Sequence, residues 1–237
     1  MATAAEAFSA RVKVWDLPLR LFHWLTVIAV AVAFLSSEED SPLNHWHVIA
    51  GWSAGLLVVF RLVWGFVGGE HARFADFVKP SRVLSHVREL LHGHAEPTVG
   101  HNPLGAVSVL VLLMMIMATV YTGVVLMEEA HEAIAWTLLA FVGVHVVAVI
   151  AMSWLSRENL VSAMVTGTKP AARHPRARDA RAPGLIAWLV AAIVLAGSVY
   201  AVRRYDPEAF TLRSAEKYEH QIKAERKAAT SQNAAGG

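Results

Sequence analysis

The sequence predicts an all-α integral membrane protein with five transmembrane helices, the fifth near the C-terminus. Three observations carry that prediction. Of the 237 residues, 55% are hydrophobic and only 17% are charged, too apolar a balance for a soluble domain of this size. Five stretches are long and apolar enough to cross a hydrocarbon core of roughly 30 Å. Lys and Arg alternate between connections, with three in the N-terminal segment, none in the first loop, four in the second, none in the third and six in the fourth. This pattern predicts a multi-pass membrane protein with a cytoplasmic N-terminus and both acidic loops outside. Five crossings then place the C-terminus in the periplasm.

Composition narrows the chemistry. A net charge of +2 gives no basic face for nucleic acid. With no cysteine, disulfides, iron–sulfur clusters, thiolate chemistry and covalent haem attachment are excluded. A metal centre would rest on His, Met, carboxylate or backbone, and twelve histidines are available.

Residues 1–14 read as a polar cytoplasmic tail without fixed structure. The domain 15–169 begins with a span over Leu17–Leu35, with Pro18 in its first turn and Trp15 and Trp24 as interfacial anchors. No short apolar segment with a small-residue cleavage site precedes it, so this span is expected to remain a helix. A second span runs over Trp46–Val67, and its Gly51 and Gly55 form a GxxxG pair suited to close helix approach. The polar segment from Gly68 to Asn102 contains PSRVLSHVRELLHG, periodic enough for an amphipathic surface helix. The third span, Pro103–Met127, has no histidine and is expected to contribute packing alone, Met114, Met115 and Met117 included. The fourth, Glu128–Leu155, carries two histidines. Residues 170–184 form a basic cytoplasmic linker, 185–203 the fifth span and 204–237 a charged tail with a short, frayed helix.

The fourth span shows the organising pattern. His131 and His145 are fourteen residues apart, which in a helix is about 1400° of rotation and a rise of about 21 Å. Both therefore look to one side at different depths. His23, early in the first span, falls at the depth of His145, and His47, opening the second, at that of His131. One such histidine near an interface is by default a hydrogen-bonded or solvated side chain. Two imidazoles meeting across helices at each of two depths are what two stacked b-type haems need, one axial ligand from each side.

Arg61 follows His47 by fourteen residues and lies at the depth of the inner pair, where its guanidinium could bind a haem propionate or snorkel to the surface. Arg20, one turn before His23, is similar but more exposed. His45 faces away from His47. His71, His86, His92, His94, His101, His174 and His220 fall in polar segments and are expected to be solvated.

The motifs VWDLPLRLFHWL, NHWHVIAGW, FRLVWGFVG and GHNPLG, with the two histidines fourteen apart, resemble the bacterial cytochrome b561 family, which includes the b-type subunits of nickel-iron hydrogenases. The resemblance covers residues 12–169. It implies a four-helix bundle holding two haem b groups on His23, His47, His131 and His145 and exchanging electrons with membrane quinone, the fifth span lying outside that core. The short first loop points toward members that serve a periplasmic c-type cytochrome in a respiratory chain. Two other functions stay open: a superoxide:ubiquinone oxidoreductase and a b-type subunit of a hydrogenase-like complex.

Overall fold

The computed structural model describes residues 10–78, except Glu39, and 98–235. The expected amphipathic helix over 80–93, with His86 and His92, and His94 beside it lie outside the described residues. The five apolar stretches are five long helices: α1 (Leu17–Leu35), α2 (His47–Val67), α4 (Pro103–Val124), α5 (Glu128–Leu155) and α7 (Leu185–Tyr205). Between them lie two short helices, α3 (Phe74–Phe77) and α6 (Leu160–Thr166), and two strands, β1 (Arg11–Lys13) and β2 (Thr168–Pro170). α8 (Ala215–Ala235) closes the chain. The protein is an all-α membrane bundle.

Local chemistry sets the helix starts. Asp16 caps α1 by accepting from Leu19 N at 2.8 Å, with Pro18 in the first turn. Asn102 caps α4 through Gly105 N at 2.6 Å, with Pro103 at the first position. The Asp16 carboxylate also accepts from Trp64 Nε1 at 3.1 Å and from Gly69 N at 3.0 Å, tying the start of α1 to the end of α2. A Cβ on Gly69 would come within 2.4 Å of that carboxylate, so the approach requires glycine.

α1 packs along α2 and α4 along α5, and α2–α4 contact joins the two pairs. The core at this junction is Ala29, Ala54, Val58, Leu113, Ile116 and Leu138. Among the long helices, α5 packs closely along α4 alone, leaving a seam toward α1 and α2. The fifth span is more than an appendage. α7 lies on α2, where Ala187 and Ala191 join Leu19 and Trp64 in a second core and Trp188 meets the Trp64 ring at 5.1 Å. Gly51 and Gly55 diverge in role: a Cβ on Gly55 meets Val120 of α4 at 3.2 Å, but one on Gly51 meets nothing within 4 Å.

The end of the N-terminal tail, expected to be without fixed structure, is ordered. β1, within the supposed N-terminal tail, pairs antiparallel with β2, matching Val12 to Lys169. Val14 N and Trp15 N then donate to Gly167 O, and Gly167 itself sits at φ 80°, the left-handed cap that ends α6. The sequence hides this pairing because three-residue strands carry too little alternation to register. Beside it, Glu158, Lys169 and His174 form an ion cluster with side chains 3% exposed, His174 Nε2 lying 2.7 Å from Glu158 Oε1. Burial, only partly offset by Glu158, holds the Lys169 amine below its ordinary range. The linker is anchored as well: Arg178 and Arg181 N both donate to the Glu70 carboxylate.

The charged tail is a 21-residue helix rather than a short one. Tyr218 and Ile222 of α8 pack on Val48 at the start of α2. Asp206, fully buried, accepts from Trp52 Nε1 at 3.0 Å and pairs with Arg213. The tail therefore lies at the end of the bundle that carries the acidic loops, opposite the β1–β2 pair.

Candidate functional site

Four histidines line the seam. At the acidic end, His47 opens α2 and His131 stands in the first turns of α5, with ring centroids 6.0 Å apart and ring planes at 81°. His47 Nδ1 lies 2.9 Å from Ala33 O, and His131 Nδ1 2.8 Å from Thr119 O. A carbonyl can only accept, so each Nδ1 carries the proton and each Nε2 keeps a free lone pair. Gly123 makes room for the second ring, since a Cβ there would come within 3.0 Å of His131 Nδ1 and Cε1.

At the basic end, His145 Nδ1 lies 3.0 Å from Ser108 Oγ of α4. His23, in the second turn of α1, has its Nδ1 buried without a hydrogen-bond partner. The third span thus does more than pack: it supplies Thr119 O to one histidine of α5 and Ser108 Oγ to the other.

Arg61 is 1% exposed, and both its terminal nitrogens are buried without a partner. It does not snorkel; its guanidinium stacks 4.7 Å from the Phe74 centroid and 5.9 Å from that of Phe77. Arg20 donates to Val165 O, and its Nε is buried and unpaired. His101, expected to be solvated, is instead enclosed by Trp15 and Phe77, with ring centroids 4.6 and 4.4 Å away, and its Nδ1 has no partner. Burial and the neighbouring charge of Arg61, His71 and Lys169 push this imidazole down to about 3. His71 and His174 also differ from expectation, His71 hydrogen-bonded to Asp76 at 2.8 Å and His174 buried 2.7 Å from Glu158, whereas His45 and His220 are exposed. A motif signal did exist for His101, which stands inside GHNPLG beside the Asn102 cap.

Among the described residues, no group of three or more His, Cys, Asp or Glu could hold a bare metal ion. Pairs of imidazoles across a membrane seam suffice where a macrocycle supplies the other four positions, and that defines the class: a membrane-bound b-type cytochrome. The chain belongs to the prokaryotic cytochrome b561 family, whose model matches residues 14–167. It is similar to the probable Ni/Fe-hydrogenase B-type cytochrome subunit of Bradyrhizobium diazoefficiens, 25% identical over 71% of this chain and 92% of the relative. The subunit of the same description from Azotobacter vinelandii is 26% identical over 66% of this chain and 87% of its own length. The probable Ni/Fe-hydrogenase 1 B-type cytochrome subunit of Escherichia coli is 24% identical over 65% and 88%. No solved structure matches significantly.

The family implies haem b, and the residues fit it. An iron bonded at about 2 Å to each of two ring nitrogens sets imidazole centroids about 6 Å apart, the separation of His47 and His131. Both Nδ1–H groups donate to carbonyls, as they do in ligating histidines. The unpaired donors of Arg61 and His101 are chemically suited to propionate oxygens.

Proposed function

We propose that the chain is a di-haem cytochrome b of the bacterial inner membrane, carrying electrons between the quinone pool and a redox partner at the acidic, periplasmic face. His47 and His131 would ligate one haem iron, and His23 and His145 the other. The observation that carries this reading is the 6.0 Å separation of His47 and His131 with both Nδ1 atoms on carbonyls. When bound, haem supplies a one-electron iron couple, and two imidazoles leave no open position for oxygen. His23, His47, His131 and His145 would fix the haem positions, and Ala33 O, Thr119 O and Ser108 Oγ would hold the tautomers of His47, His131 and His145. Arg61 and His101 would hold propionates, while Arg20 reaches the same end through α6.

The purified protein should show two low-spin b-haem components and two haems per chain by pyridine haemochrome. His145→Ala should lower the content to one. Two haems in that variant would contradict the pairing.

The partner is proposed from two observations that point apart. The relatives are B-type subunits of hydrogenases, which favours a hydrogenase-like complex. The short first loop and the acids Glu128, Glu129 and Glu132, exposed beside His131, suit a basic c-type cytochrome. The same acids repel superoxide, which weighs against a superoxide:ubiquinone oxidoreductase. Co-purification from the native membrane separates the first two, and reduction by superoxide with no partner present tests the third.

A further inference from the structure

The two histidine pairs are supported by different acceptors. At the acidic end, both Nδ1 atoms face main-chain carbonyls, at 2.9 and 2.8 Å. At the basic end, His145 faces the Ser108 hydroxyl at 3.0 Å, and His23 faces no acceptor. An imidazole whose Nδ1–H donates to a strong acceptor becomes a more basic ligand at Nε2, which favours ferric over ferrous iron. An amide carbonyl accepts more strongly than an alcohol oxygen, so this stabilisation of the oxidised state is greater at the acidic end.

The charges work in the same direction. Glu128, Glu129 and Glu132 are exposed on the first turns of α5 beside His131, with Lys223 of α8 4.0 Å from Glu128 and the other two unpaired by any described cation. At the other end, Arg61 is buried with both terminal nitrogens unpaired, so a propionate held there would be neutralised instead of adding bare negative charge. Positive charge in a low-dielectric interior stabilises the reduced state, and negative charge the oxidised one.

We propose that the two pairs hold their irons at unequal potentials, higher at the basic end, and that Ser108 is the positioning residue that sets the basic-end value through His145. This rests on the di-haem reading. It gives the molecule a direction: electrons entering at the acidic end run downhill to the basic end, one at a time. With iron at Nε2, the proton must sit on Nδ1, so Ser108 Oγ accepts. Its small side chain lies on a helix where alanine is well tolerated, so its removal deletes one acceptor and little else.

The test is a potentiometric titration of the purified full-length protein, wild type, Ser108→Ala and Ser108→Thr, followed optically and by electron paramagnetic resonance. The wild type should titrate as two resolved components of equal weight. In Ser108→Ala, the upper component should move further up and its low-spin signal should shift, while the lower component and the haem content stay unchanged. Ser108→Thr should restore the wild-type value. Movement of the lower component instead, or of neither with both haems retained, would overturn the proposal. Fewer than two haems in the wild type would remove the di-haem reading and this proposal with it.

Discussion

Gly123 shows how much of the site depends on single residues outside the histidines. A methyl group there would stand 3.0 Å from two atoms of the His131 ring, tight enough that the ring would have to shift by a few tenths of an ångström. Gly123→Ala should push the ring off its bond to Thr119 O and remove about half of the bound haem, read from the absorbance of the purified protein. Full haem content would show that the ring has slack. The histidines themselves were legible as a spacing, because helical geometry turns sequence distance into face and depth. Their supports were not. Ala33 O and Thr119 O are main-chain atoms with no side-chain signature, and Ser108 looks like any small residue in an apolar helix. His101 was misjudged because a polar neighbourhood in sequence says nothing about the aromatic rings that close over it.

Among the elements, α8 differs most from its sequence. Its composition suggests a solvated charged tail, yet the buried pair Asp206–Arg213, with Arg213 stacked 4.8 Å from the Tyr218 ring, docks it on α2. Removing one partner of a buried pair typically costs about 3–5 kcal/mol, because the other charge is left uncompensated. Arg213→Ala should therefore release α8, seen as rapid tryptic cleavage in the tail under native conditions. Adding Asp206→Asn should restore part of the protection, since the orphaned charge is then gone. The long helices were readable because the apolar length that spans a bilayer is a local property. β1, β2 and the docking of α7 and α8 depend on partners far away in the chain, which local pattern cannot supply.

At the scale of the whole molecule, the two ends are chemically opposite. One carries the acidic loops and α8, the other the β1–β2 pair and the basic segments between Arg157 and Arg181. A reporter fused after Gly237 and one inserted in the 170–184 linker should lie on opposite faces of the membrane. Labelling of intact cells by an impermeant reagent should mark the first alone, and equal labelling of both would contradict five crossings.

The β1–β2 pair has a consequence for biosynthesis. Arg11 and Thr168, bonded through Nε and Oγ1 at 2.6 Å, are 157 positions apart. β1 leaves the ribosome long before its partner, which is made only after α5. Until then, among the described residues, no strand pairing fastens the segment before α1 to the segment that follows α5. The seam is thus open at the basic end throughout synthesis of the four helices, and it is clasped only when all four histidines already exist.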